Sequence, residues 1–288
     1  MKKITTILLA VLLTLTLFGC SASDNNASDD SGSEAADKVI KVGATLVPHA
    51  EILNNVVKAE LAKDGWELEV VEFSDYVTPN TALEDGDLDA NYFQTLGYLK
   101  DQNESRGLHL VAAVGVHIEP MGIYSAKYTD VKDIPDGAAI GVPNDTDNYM
   151  RALELLVAKG LLNGTDESES ALNADTEKNP HGFVITPIEA GLLPTSLVDL
   201  DAAVINGNYA LESGLPSKYP ALTIEEFDTE SSVRRTNYIA VVEGNENSEK
   251  IQALVKAIVS EDVQKYIEDT YKGAVITSFI DAEGNAVK

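Results

Sequence analysis

The chain has 288 residues, with 47 Asp and Glu against 21 Lys and Arg and a formal net charge of −26 at pH 7. Nucleic-acid backbones are gripped by clustered Lys and Arg, so this balance argues against a nucleic-acid partner. A single Cys leaves no internal disulfide framework and no Cys-based metal cluster, and the core stands on packing.

Met1-Lys2-Lys3 opens an apolar run from Ile4 to Phe18 that ends at Gly19-Cys20. A charged start, an apolar stretch too short for a comfortable membrane span and a small residue before the break read as a secretory signal peptide over residues 1–19. Leu17-Phe18-Gly19-Cys20 resembles a bacterial lipobox, in which cleavage before the cysteine frees a thiol for lipid; the alternative is an incidental Cys in an uncleaved anchor. Residues 20–38, rich in Ser, Asp, Asn, Ala and Gly, lack the apolar content to fold and read as a flexible tether.

From Val39 onward, strands and helices alternate. Val39 to Ala44 reads as a buried strand; Ile52, Leu53, Val56 and Val57 mark one helical face, which ends near Gly65. Leu68 to Phe73 is a second strand, followed by a turn over Asp75 to Pro79. A helix is predicted over Leu96 to Arg106, strands over Leu108 to Val116 and Ala138 to Val142, and a helix over about Asp147 to Lys159. After a loop-rich stretch from Asn163 to Pro187 come strands over Ala202 to Ile205 and Tyr238 to Val242, then helices near Ser248 to Ser260 and Asp262 to Tyr271. The pattern predicts an α/β fold with mostly parallel sheets, and its irregular spacing favours two lobes over a barrel.

No catalytic motif is present: there is no G-x-S-x-G elbow, no phosphate loop, no G-x-G-x-x-G turn and no H-E-x-x-H helix. His49, His109, His117 and His181 show no short metal-ligand spacing, so neither metal nor cofactor is expected. The abundant carboxylates read as a solvated acidic surface. Polar and aromatic residues do gather where strands end, which is where α/β sheets bind ligands. Val142 to Arg151 runs from a strand into a helix, with Arg151 one turn in and suited to grip a carboxylate. Asn206 and Asn237 put side-chain amides at strand ends, and Tyr76, Phe93 and Tyr98 offer aromatic walls.

Several long segments carry a resemblance. They are Pro48-His49-Ala50-Glu51-Ile52-Leu53, Phe73-Ser74-Asp75-Tyr76-Val77-Thr78-Pro79-Asn80, Asp85 to Gln94, His117-Ile118-Glu119-Pro120-Met121-Gly122-Ile123-Tyr124-Ser125, Pro143-Asn144-Asp145 with Asn148 and Arg151, Ala203 to Ala210, and Tyr271 to Val275. In this order the chain resembles the NlpA/MetQ family, the methionine-binding lipoproteins that serve ABC importers.

The resemblance implies a two-lobed, periplasmic-binding-protein-like fold with the ligand enclosed between lobes. Residues 39–126 and 229–288 would form one lobe and 127–228 the other, with crossings near Tyr124 to Tyr128 and Phe227 to Arg235. It assigns the carboxylate clamp to Arg151 beside Asn148, the ligand's polar groups to Asn206 and Asn237, and its side chain to Tyr76, Phe93 and Tyr98. Two positions depart from the family pattern: Thr95 stands where a histidine is usual, implying a wider or differently bonded pocket, and Arg235 where a tyrosine is usual. If Arg235 faces the cleft, it would favour an additional acidic or carbonyl group on the ligand. The implied protein is a monomeric, non-enzymatic solute-binding lipoprotein, anchored outside the cell membrane by lipid on Cys20, that delivers methionine, a related amino acid or a short peptide to an ABC permease. A scaffold redirected to another ligand, a surface adhesin and a secreted hydrolase are the alternatives.

Overall fold

A computed structural model describes residues 38–287; the expected signal peptide, Cys20 and nearly all of the tether lie outside the described residues. Strand β1 (Val39–Thr45) leads into two π-type turns, Leu46–Ala50 and Leu53–Val57, continued by α1 (Lys58–Lys63), with Ile52, Leu53, Val57 and Leu61 buried. Gly65, at φ +80°, turns the chain into β2 (Glu67–Phe73). The Asp75 carboxylate then accepts from the Val77 and Thr78 amides, both at 2.7 Å, and this turn launches α2 (Thr78–Glu84).

Strand β3 (Ala90–Thr95) is buried at every position, so its sequence shows no alternation of polar and apolar residues and escapes a period-two reading. Helix α3 (Leu96–Arg106) starts where predicted because the Thr95 hydroxyl accepts from the Tyr98 amide, and it stops at left-handed Gly107. Next come β4 (Leu110–Ile118), β5 (Gly122–Tyr124), β6 (Ala139–Pro143) and α4 (Thr146–Ala158), which Asp145 caps by accepting from the Asn148 amide at 2.9 Å. The stretch read as loop-rich holds α5 (Glu169–Ala174) and much of the partly exposed edge strand β7 (Val184–Ile188). Then follow α6 (Leu193–Ser196), β8 (Ala202–Ile205), α7 (Gly207–Glu212), α8 (Leu215–Lys218), β9 (Thr223–Ile224) and α9 (Thr229–Arg235). The chain ends with β10 (Thr236–Val242), α10 (Glu249–Ile258), α11 (Glu261–Tyr271) and β11 (Ile276–Thr277).

The strands form two sheets, ordered β11-β4-β10-β3-β1-β2 and β7-β6-β8-β5-β9. They are mixed rather than mostly parallel: β1 pairs parallel with β2 and β3, whereas β10 runs antiparallel to both β3 and β4. The reason is topological. Strand β10 returns from the second sheet and inserts into the first from the opposite direction, and β5 enters the second sheet in the same way, antiparallel to β8. Sheet membership changes between Ile118 and Gly122, and again between Ile224 and Thr236.

Helices cover both faces of each sheet. On the first, Ile251, Leu254 and Ile258 of α10 and Val263 and Ile267 of α11 pack on Val114, Val116, Ile239 and Val241, while Leu83, Leu96 and Leu99 cover the opposite face. On the second, Leu153 and Leu156 of α4 pack on Ile140, Val142 and Val204, and Leu193, Leu197 and Tyr209 pack on Ala203 and Ile205. Each fully buried Leu or Ile is worth about 1.5–3 kcal/mol, so each lobe has its own driving force for folding. The lobes meet where α3 faces α4: a Cβ at Gly97 would lie 2.6 Å from the Asp147 Oδ1 atom. Among the described residues, no helix is long and apolar enough to cross a membrane.

Candidate ligand-binding site

Between the lobes, the ends of β3 and β8, the first turns of α3, α4 and α7 and the crossover at Glu119 enclose a pocket. It contains about 340 Å³ of space not filled by protein atoms, a figure that includes its opening to solvent. All eight residues expected from the sequence, Tyr76, Phe93, Thr95, Tyr98, Asn148, Arg151, Asn206 and Asn237, line this one pocket. Glu119 and Asn208, which the sequence reading did not assign to the site, line it too.

Arg151 is 3% exposed and is locked by Glu225: its Nε donates to both carboxylate oxygens at 3.1 Å, and its Nη2 donates to Oε2 at 2.6 Å. Nη2 also donates to the Glu119 carbonyl at 3.0 Å, leaving Nη1 for the pocket. Burial pulls the Arg151 pKa down, but the charge and hydrogen bonds of Glu225 outweigh it, so the guanidinium stays charged. Nothing in the sequence marks Glu225, which lies just past β9 and far along the chain from α4.

A chain of amides completes the polar side. The Asn148 Nδ2 donates to Asp145 at 3.0 Å, and the Asn206 Nδ2 donates to the Asn148 Oδ1 at 2.8 Å. Burial is the largest influence on the Asp145 carboxyl and pushes its pKa up to about 6, against the bonds from Asn148 that favour the anion. The Asn206 Oδ1 is left buried without a partner. Asn208 is in the complementary position: its Oδ1 accepts from the Tyr76 hydroxyl at 2.5 Å, and its Nδ2 is buried without a partner. An orphan acceptor, an orphan donor and a free guanidinium edge thus line one cavity, and buried polar atoms left in this way cost roughly 1–3 kcal/mol each until something pairs with them.

The apolar side is a cluster of rings. Tyr76 lies 5.8 Å from Phe93 and 5.7 Å from Tyr98 and stacks at 4.9 Å on Tyr209. The Tyr98 hydroxyl donates to the Tyr76 carbonyl at 2.9 Å, which fixes one ring against the other.

Behind the polar side, His49 and His117 both approach Glu119 Oε1 through Nε2, at 3.3 and 2.7 Å. Thr45 meets the Nδ1 of His49, and Tyr92 meets the Nδ1 of His117. One ligand-type atom from each of His49, His117 and Glu119 lies within 4.8 Å of the others. The His117 Nε2 is hydrogen-bonded to Glu119 Oε1 at 2.7 Å and the His49 Nε2 to Asn237 Oδ1 at 3.2 Å, so the ring nitrogens are engaged within the protein. Burial lowers the pKa of His49 to about 4, partly opposed by Glu119, and that of His117 to about 3.

Acidification is therefore expected to destabilise the fold. Unfolded histidines take up protons near pH 6.5 and these two only near 4 and 3, so between those values the unfolded state binds more protons. Stability falls as pH drops from 6.5 toward 4, by up to about 1.4 kcal/mol per pH unit for each histidine. Glu119 and Asp145, whose pKa values are raised by burial, oppose this trend: as pH falls through those raised values, the folded state gains protons that the unfolded state does not yet bind. Urea midpoints at pH 7 and pH 5 test the net sign, and a His117→Gln variant is expected to show the shallower decline.

The profile of NlpA lipoproteins matches residues 40–279. The chain belongs to the NlpA lipoprotein family. Methionine-binding lipoprotein MetQ of Bacillus subtilis is 38% identical over 252 residues, covering 86% of this chain and 90% of that protein. A nutrient-binding protein from Burkholderia cenocepacia, solved bound to methionine, is 37% identical with a TM-score of 0.74 over 83% of this chain and 100% of its own. A periplasmic substrate-binding protein of an ABC transporter from Coxiella burnetii is 35% identical, with a TM-score of 0.74 over 83% of this chain and 99% of its own.

Within this NlpA family framework, the two departures have different fates. Thr95 lines the pocket, but its hydroxyl serves as the cap of α3. Arg235 does not face the pocket. Only 2% exposed, it donates to the Asp147 Oδ2 at 3.1 Å and to Glu154 at 3.0 Å, and it lines a separate cavity with Arg234 and Glu154. Two carboxylates of α4 draw the guanidinium away, so it presents no charge to the pocket, and the expectation that it would favour an acidic ligand is withdrawn.

Proposed function

We propose that this NlpA family protein is a solute-binding lipoprotein that encloses methionine or a closely related free amino acid between its two lobes and delivers it to an ABC importer. The observation that carries the reading is the set of unmet polar groups in one small cavity: the Nη1 edge of Arg151, the Asn208 Nδ2 and the Asn206 Oδ1. Two donors and an acceptor beside a ring-lined wall complement an α-carboxylate, an α-amino group and an apolar side chain. The names of the Bacillus and Burkholderia relatives support methionine, and that of the Coxiella protein supports an ABC partner.

The sheet over residues 122–224 would belong to the lobe that closes on the rest, which comprises the strands before and after it. Cleavage after residue 19, lipid on Cys20 and a tether over residues 20–38 would hold a monomer near its permease and raise its effective concentration there. Binding, rather than turnover, is the role this site performs.

The test is thermal unfolding of ligand-stripped protein with L-methionine, D-methionine, methionine dipeptides and other amino acids. A ligand at about a hundred times its dissociation constant should add roughly 2.7 kcal/mol of stability. L-methionine is expected to give the largest shift. A shift with another amino acid alone would mean a redirected pocket, and no shift with any of them would remove the solute-binding reading.

A further inference from the structure

We propose that Tyr76 is a positioning residue as well as a wall of the pocket: its hydroxyl, reaching from the first lobe to Asn208 of the second, turns the Asn208 amide so that Nδ2 faces the ligand, and so completes the ligand's hydrogen bonds only when the lobes are closed. This rests on the amino-acid reading above and adds to it a device that ties recognition to closure.

Tyr76 lies just past β2 of the first sheet, and Asn208 lies on α7, which follows β8 of the second. The Tyr76 hydroxyl donates to the Asn208 Oδ1 at 2.5 Å, the one acceptor it meets among the described residues. Burial raises the Tyr76 pKa well above its ordinary value, so the phenol keeps its proton, and turning the Asn208 amide over would leave that proton buried and unpaired. An amide is a plane with its acceptor on one branch and its donors on the other, so once Oδ1 takes the phenol proton, Nδ2 points away from Tyr76. That Nδ2 is buried without a partner, on a side chain that is 3% exposed and lines the pocket with Arg151. A donor in this state is costly until an acceptor arrives, and a free amino acid brings one in its carboxylate. The Asn208 main chain is fixed as well, because its N–H bonds the Glu119 carboxylate. The next residue strengthens the bridge: the Tyr209 ring stacks on Tyr76 at 4.9 Å, and its hydroxyl donates to the Ser74 carbonyl at 3.2 Å. Two consecutive residues of α7 thus grip the segment from Ser74 to Tyr76, and every one of these contacts crosses between the lobes. Parting the lobes would break them together and free the Asn208 amide to turn. The aimed donor therefore belongs to the closed form, and a ligand that pairs with it favours that form.

The experiment is titration calorimetry with L-methionine, together with the release rate of radiolabelled L-methionine, for wild type, Tyr76→Phe, Asn208→Ala and the double variant. Tyr76→Phe keeps the ring and its stack but loses the hydroxyl; it is expected to weaken binding about fivefold, as for one hydrogen bond, with the change carried by faster release. Asn208→Ala is expected to weaken binding at least as much. The double variant is expected to bind no more weakly than Asn208→Ala alone, because the hydroxyl acts through the amide. A Tyr76→Phe affinity within about twofold of wild type, or single-variant losses that multiply in the double variant, would overturn the proposal and leave the amino-acid reading standing. Should Tyr76→Phe fail to fold, Asn208→Ala decides: faster release supports the aimed donor, and wild-type affinity overturns it. Wild type that binds no free amino acid would overturn both readings.

Discussion

Arg151→Ala is expected to weaken binding of the amino-acid ligand by more than tenfold. The guanidinium has two loads: two of its nitrogens hold Glu225, and the third edge is left for the ligand carboxylate. A charge-assisted hydrogen bond contributes about 1.5–3 kcal/mol, and its loss alone accounts for the tenfold. Arg151→Lys is expected to recover little, because a point charge cannot hold Glu225 bidentately and still present a second edge. Calorimetry with the ligand measures the first effect, and urea unfolding shows separately what is lost when the only cation Glu225 keeps among the described residues is the Arg235 Nε, 3.8 Å away. Unchanged affinity in Arg151→Ala would remove the residue from the site.

The second large effect is on stability. Arg235→Met is expected to cost about 3–5 kcal/mol, because it leaves Asp147, a buried carboxylate, with only the half-exposed Arg234 as partner. Arg235 sits at the end of α9, on the return path to the first sheet, and Asp147 and Glu154 belong to α4 in the second lobe. The ion cluster therefore ties the return crossover to the helix that carries Asn148 and Arg151. The double variant Arg235→Met with Asp147→Leu, which removes both buried charges, is expected to regain most of the loss. Denaturant midpoints of the two variants give the answer. A loss below about 1 kcal/mol in the single variant would mean that the cluster behaves as an exposed pair.

Legibility in the sequence followed the physics of each segment. Helix α3 and strand β8 matched their predicted spans because a capping Thr95 and a left-handed Gly107 bound the one, and polar neighbours bound the other. Strand β3 was missed because burial on both faces removes alternation and because its buried Asn91 and Gln94 look like loop residues until Asn80 pairs with them. The pocket-lining residues were readable where they flank strand ends, as Arg151, Asn206 and Asn237 do. Glu119 was one of 47 acidic residues, and only folding shows that it is buried. His49 and His117 have no informative spacing, yet their rings lie 5.0 Å apart. Sequence also gives no direction to adjacent arginines: the Arg234 side chain is 49% exposed and that of Arg235 only 2%.

The central claim is that the pocket between the lobes takes up one free amino acid, methionine or a near relative. Titration of ligand-stripped protein with L-methionine measures this directly, with Arg151→Ala as the matched control. The account predicts one saturable site per chain whose affinity drops more than tenfold in the variant. Folded wild-type protein that gives no saturable binding with methionine or any other free amino acid would contradict it.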